Sequence, residues 1–312
     1  MDWRVKALLQ KWISYANLGD KLNHLPARFK RNYYSNGATY HLHEALRMLD
    51  NCSFDSYTGK TALEIGTGYF LYQPLILHLL GFAHITTVDI TKDITFRSVK
   101  KQLKCLDSKA YLKLIASKGN LSLDQIQSKL YKLKNATSLH EVLSSANITY
   151  IPFYHIHDLR KNSAKYDYIF SQVVMEHIRP VFLEHLFKEI SKSLRTDGYS
   201  VHTINFIDHF TNDGLFKDHQ ISEFNFLKYS DKYWEKWAGN SIAYTNRLGH
   251  PYYLQLCFEH HLKVVDFIGE NYKEQIPFDV KLIHSDIIKR YKPDVNRNDL
   301  TEFQRGTLIF KR

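Results

Sequence analysis

Cysteine is scarce in this chain. Cys52, Cys105 and Cys257 are its only three among 312 residues. An odd count at wide spacing makes neither a disulfide framework nor a zinc knuckle. A reducing, cytoplasmic compartment is the expected location. Long apolar runs are absent too. No window of about twenty apolar residues occurs, so no membrane span is expected. Charges and Trp/Gln interruptions break up the opening stretch MDWRVKALLQKWISYANLGDK, where a signal peptide needs unbroken apolar sequence. Internal repeats and low-complexity tracts are missing as well.

What is present suits a folded protein. Hydrophobic residues make up 44% and aromatics 14%, enough for one large core with additions rather than a disordered chain. The formal net charge is +10. Residues 97–135 hold ten Lys/Arg against two Asp, so much of the excess lies in one stretch. Net charge alone leaves nucleic acid, membrane surface, acidic substrate and plain solubility open.

Periodicity then orders the chain. Residues 3–17 read as an amphipathic helix with Val5, Leu8, Leu9, Trp12 and Ile13 on its apolar face. A loop and a second helix ending near Asp50 follow. From Lys60 the pattern becomes strand (TALEIG), helix (YQPLILHLLGF, closed by Gly81) and strand (HITTVDI), a βαβ unit with parallel pairing. The basic stretch reads as helices, with Leu103, Leu106, Tyr111, Leu114 and Ile115 at helical intervals. Strands resume at ANITYIPF and YDYIFSQVV. A helix over about 180–195 leads to the strand YSVHTINF. Aromatic residues crowd 206–256. LKVVDFIG and GTLIFKR close the chain. About seven strands result, the last two with no long helix between them, which fits an antiparallel terminal hairpin on a parallel sheet.

The segment TALEIGTGYF places Gly66 and Gly68 around Thr67 where a strand turns into a helix. Glycine there permits a tight turn and close approach of a ligand to the backbone. A dinucleotide site wants a third glycine; here that position is Leu71. A P-loop is excluded because no G-K-[ST] follows. Glu64 lies in the strand before the hairpin and is suited to an ammonium group, directly or through water. Asp89 ends the next strand and can accept both hydroxyls of a ribose. The site therefore wants a ribose and a cationic group but no diphosphate. S-adenosylmethionine fits that description.

E-x-G-x-G followed by an acid at the end of the next strand resembles the class I S-adenosylmethionine-dependent methyltransferases. The resemblance covers roughly residues 60–205 and 260–312. It implies an α/β, Rossmann-like, seven-stranded, mostly parallel sheet with an antiparallel terminal hairpin, plus a helical amino-terminal cap and insertions. The implied organisation is a cap over 1–58 and a methyltransferase domain over 59–312. That domain carries a helical insert at 97–145 and an acceptor-covering insertion at 206–256. S-adenosylmethionine is the implied cofactor. Glu64, Gly66, Thr67, Gly68, Asp89 and Ile90 are its expected contacts. Asp158 is placed at the adenine amino group and Leu159 over the ring, with Ser171 and Gln172 at the carboxyl end of the fourth strand.

Methyl transfer from a sulfonium is an in-line displacement, and an alcohol acceptor gains from a general base. His177, His202, Asp208 and His209 are the candidates, the last two as a base and its orienting carboxylate. Cap or loop-bracing roles are the plain alternative for each. No metal is expected, since no H-E-x-x-H or similar spacing occurs. FNFLKYSD…W…YTNRL together with HTINFIDHF resembles a methyltransferase subgroup associated with surface-polysaccharide and other glycan pathways. That implies a sugar or glycan-linked acceptor. Tyr244, Asn246 and Arg247 are its expected contacts, and Trp234, Trp237 and Tyr252 offer further ring faces. Other small-molecule acceptors, an RNA acceptor favoured by the basic insert but lacking a recognition module, and a non-catalytic cofactor-binding subunit remain alternatives. The basic amino-terminal helix also suits peripheral docking on an acidic membrane or a pathway partner. Oligomeric state is open.

Overall fold

The computed structural model describes residues 2–15, 32–155, 158, 165–212, 217–240, 242–273 and 276–312. Helix α1 (Trp3–Ser14) and helix α2 (Tyr33–Asp50) precede strand β1 (Thr61–Ile65), α3 (Tyr72–Leu80) and β2 (His84–Val88). Four helices fill the basic stretch: α4 (Phe96–Leu106), α5 (Lys109–Gly119), α6 (Leu123–Asn135) and α7 (Leu139–Ser145). Then come β3 (Ile148–Ile151), β4 (Tyr166–Gln172), α8 (Pro180–Ser193) and β5 (Leu194–Asn205). Helices α9 (Asp231–Ala238) and α10 (His250–Glu259), strand β6 (Lys263–Glu270), the short α11 (Ser285–Ile288) and β7 (Arg305–Lys311) complete the order.

The strands form one seven-stranded sheet in the order β3-β2-β1-β4-β5-β7-β6. It is mostly parallel with antiparallel terminal strands, a Rossmann-like arrangement. β1 pairs in parallel with β2 (Glu64 opposite Thr87) and with β4 (Ile65 opposite Ser171). β2 pairs in parallel with β3. β1 is buried along almost its whole length, as befits a central parallel strand covered on both faces.

The chain divides into two compact units. One comprises residues 31–172, 188–201 and 309–312; the other comprises 1–30, 173–187 and 202–308. In the first unit local chemistry sets the boundaries. Gly81 ends α3 in a left-handed conformation, φ 105°, a geometry that suits glycine. Thr95 and Ser138 cap α4 and α7, and Ser122 with Gln125 builds a capping box on α6, satisfying amides that open each helix. Val99, Leu103, Leu106, Leu112, Ile115, Ile126, Leu130 and Leu133 form the buried side of these helices. Leu114, expected inward, is exposed, and Leu112 takes its place.

The second unit has its own apolar cluster. Trp3 and Ala7 pack with Phe210, Phe224, Phe226, Leu227, Trp234, Ile283 and Ile287. Here the expectation for α1 fails. Val5, Leu8, Leu9 and Trp12 are exposed, Trp12 at 68%, and Ile13 is only half-buried. The helix turns Trp3 and Ala7 inward instead. One indole with four aromatic neighbours outcompetes a stripe of aliphatics, because it buries more area in a single side chain.

Candidate functional site

The first unit holds the glycine hairpin. Gly66 and Gly68 have φ of 87° and 60°, a region that L side chains rarely enter. Gly66 N–H donates to Val88 O at 2.8 Å. Gly68 N–H donates to Asp89 Oδ2 at 2.7 Å. Asp89 Oδ1 accepts from the Thr91 amide at 2.8 Å and from its hydroxyl at 2.9 Å. The carboxylate is therefore locked in orientation at the end of β2, with Oδ2 keeping one lone-pair site to spare. A Cβ built on Gly68 meets nothing within 4 Å, so the cradle is open on that side. Ile90, next in sequence, exposes 70% of its surface.

Glu64 lies deeper than expected. It is only 5% exposed and accepts a short hydrogen bond from the Thr87 hydroxyl. Thr67 and Thr87 share a 2.5 Å hydroxyl contact. Burial pushes the Glu64 carboxyl up to about 8, with Thr87 pulling the other way. Ser171 is fully buried. Gln172 Oε1 accepts from Gln73 Nε2 at 2.5 Å and meets His41 Nδ1 at 3.1 Å. Gln172 Nε2 and Gln73 Oε1 are buried without partners, so this amide pair has a donor and an acceptor left over for a ligand. His41 and Gln73 escape motif reading because one sits on a cap helix and the other in an apolar run. Asp158 closes a turn on His155, accepting its amide at 3.2 Å. Leu159 lies outside the described residues.

A pH dependence follows from Glu64. Its carboxyl titrates near 4.5 when unfolded and near 8 when folded, so folding takes up a proton between those values. Stability from this group is complete below 4.5 and falls as pH rises to 8. Asp208 and Glu176, also raised by burial, act in the same direction. His41, His78, His202 and His209 are lowered by burial and act oppositely, but only below about 6.5. Between pH 6.5 and 8 the ligand-free protein should lose stability, and Glu64→Gln should flatten the slope by up to about 1.4 kcal/mol per pH unit. Urea unfolding across that range checks this; an unchanged slope in the variant would overturn it.

The second unit holds the acceptor candidates. His177 and His209 face each other edge-on with ring centroids 4.9 Å apart. His177 Nδ1 lies 2.9 Å from Tyr244 O. Glu176, beside His177, joins them: one ligand-type atom from each of the three lies within 4.8 Å of the other two. Burial holds both histidines below their ordinary value, His209 at about 3. Asp208 is not the orienting partner of His209. It is fully buried and caps the turn after it, accepting Phe210 N–H at 2.9 Å. His202 is fully buried within β5 and pushed down to about 3, so no acceptor can reach it directly.

Asn246 and Arg247 are scaffold. Asn246 Nδ2 lies 2.8–3.1 Å from Met175 O, Ile178 O and Tyr253 Oη, three acceptors that share its two N–H groups. Arg247 donates to Phe226 O and Tyr229 O at 3.0 and 2.7 Å, and to Asp231. Both residues also line a cleft of about 590 Å³, together with Arg179, Glu235, Tyr244, Tyr252 and Arg290. The Arg179 guanidinium stands 4.5 Å over the Tyr244 ring. All three expected substrate contacts line this cleft, Asn246 and Arg247 while also hydrogen-bonded to the fold.

No family model and no curated protein matches the chain. Solved structures do. One is the complex of the Haloferax volcanii Trm112 methyltransferase activator with a methyltransferase. It shows 13% identity over 89% of this chain and 92% of that one, TM-score 0.46. Another is geranyl diphosphate C-methyltransferase from Streptomyces coelicolor A3(2), solved with Mg2+, geranyl diphosphate and S-adenosyl-L-homocysteine. It shows 10% identity over 91% and 85%, TM-score 0.43. A third is a TehB-like S-adenosylmethionine-dependent methyltransferase from Corynebacterium glutamicum, with 10% identity over 86% of each chain and TM-score 0.38. Likeness at this distance says nothing of substrate. No helix among the described residues is long and apolar enough to cross a membrane.

Proposed function

We propose that the chain is an S-adenosylmethionine-dependent methyltransferase acting on a hydroxyl of a sugar or glycan-linked acceptor. The observation that carries the cofactor is the Asp89 carboxylate, held by Gly68 N–H and Thr91 beside a glycine cradle open at Gly68. A carboxylate fixed there accepts a ribose diol, and the exposed Ile90 gives the adjoining base an apolar surface. Gln172 and Gln73 have unpaired amide atoms for the polar end. The bound group supplies an activated methyl on sulfur. His177 and His209 are neutral at working pH and can each take the acceptor proton, although a base as weak as His209 gives little drive by itself.

The sugar reading is supported by aromatic and arginine groups around the 590 Å³ cleft. The RNA reading loses support in the basic helices, because several of their lysines already work inside the fold. Lys118 pairs with Asp50 and Lys134 with Asp107, while Lys100 and Lys129 donate to carbonyls that end neighbouring helices.

The test is calorimetric titration with S-adenosyl-L-homocysteine. Wild type should bind, and Asp89→Ala should weaken binding about 100-fold, as two charge-assisted hydrogen bonds are lost. Wild type that binds neither the homocysteine product nor S-adenosylmethionine would end the enzyme reading. Binding would justify an acceptor screen beginning with nucleotide sugars and glycans.

A further inference from the structure

We propose that Glu176, His177 and His209 bind a divalent first-row transition-metal ion. Two imidazoles and one carboxylate are a donor set such ions take, with positions left for water or substrate. Ligand atoms around a tetrahedral ion stand about 3.4 Å apart, given bonds of about 2.1 Å. The three groups already lie within 4.8 Å of one another, so small side-chain rotations close the set.

The surroundings fit this use. His177 Nδ1–H donates to Tyr244 O at 2.9 Å. That leaves Nε2 with its lone pair, the arrangement by which a carbonyl behind a ligand histidine sets tautomer and ring direction. The Glu176 carboxylate is 2% exposed; the backbone amides of Glu176 and Asn205 lean on it, but no hydrogen bond of good geometry reaches either oxygen. A buried carboxylate held so weakly is costly, and a cation offsets that cost. Asn205 Nδ2 touches His209 Nε2 only at 3.5 Å, and its Oδ1 is also buried without a partner. It is a fourth polar group facing the cluster with capacity to spare. Lys6 and Lys273 oppose a cation, lying near His209 and donating to the carbonyls of His209 and Thr211 at 3.4 Å. Lys6 is in turn offset by Asp208.

The site stands on this unit alone; its role rests on the methyl-transfer reading. In that role the ion takes the acceptor hydroxyl at an open position and lowers its pKa. The proton leaves to a neighbouring base or water. The oxygen then bonds to the methyl carbon as the carbon–sulfur bond breaks, its electron pair staying on sulfur. With both imidazoles bound to the ion they no longer act as the base, and water suffices to take the proton.

The experiment uses chelator-dialysed full-length protein and Co2+, followed by its visible absorption and by competition with a chromophoric chelator. Wild type should bind one equivalent. Glu176→Gln and His209→Gln should each weaken binding at least about 10-fold. His177→Gln, altering the member with the most exposed surface, should do the same. Saturating Zn2+ should raise the wild-type melting temperature, and chelator should reverse the rise. Cobalt binding that all three variants leave unchanged, or no binding by wild type, overturns the site. A parallel titration with S-adenosyl-L-homocysteine separates the two readings. Protein that binds cobalt but not the nucleoside loses only the cofactor reading, and the reverse result loses only the metal.

Discussion

Trp3→Ala should destabilise the protein by about 3–5 kcal/mol, the range for removing a large buried aromatic. The indole is 2% exposed. Its ring lies 5.4 Å from each of Phe210, Tyr229 and Trp234 and 6.1 Å from Trp237. Its amide donates to Asp218 Oδ2 at 2.9 Å, so the turn at 218 is tied to the same point. The hole left by alanine is walled by rigid rings that cannot collapse into it. Trp12→Ala is the control. That side chain is exposed, and its loss should cost no more than about 0.5 kcal/mol. Urea unfolding followed by circular dichroism decides. Equal costs for the two variants would mean that Trp3 is not the core residue the packing makes it.

Arg247→Met should cost a similar about 3–5 kcal/mol, because a buried, fully used cation is removed and its partners are left behind. Two main-chain carbonyls, Phe226 O and Tyr229 O, lose their donor. The Trp234 ring loses a guanidinium 5.6 Å from its centre. Burial lowers the Arg247 pKa to about 10, which still leaves it charged at neutral pH. Arg290, which shares Asp231, cannot reach those carbonyls by charge alone. A variant with unchanged unfolding but a raised acceptor KM would restore Arg247 to substrate binding.

Arg247 shows what residue patterns can and cannot disclose. The seven strands were legible because apolar alternation and bounding glycines are local properties. The glycine hairpin was legible for the same reason: Gly66, Gly68 and Asp89 take their geometry from position along two adjacent strands. Asn246 and Arg247 look like ligand groups in sequence, yet their partners are carbonyls 18 to 71 residues away. Only the folded chain shows that those donors are spent. Glu176 was invisible for the opposite reason. It precedes His177 in the chain but meets His209 thirty-three residues later, so no fixed spacing announces the trio. The α1 face was misread because helical periodicity identifies an apolar stripe, not which side has something to pack against.

The four tryptophans have a consequence for spectroscopy. Trp3, Trp12, Trp234 and Trp237 all belong to the unit formed by residues 1–30, 173–187 and 202–308. The other unit, which carries the glycine hairpin, has none. Intrinsic emission excited at the indole band is thus a private signal of one half of the molecule. The glycine-hairpin half has no indole of its own to report melting or ligand binding. Tyrosine emission or backbone dichroism must be recorded beside it before any single transition is taken as that of the whole protein.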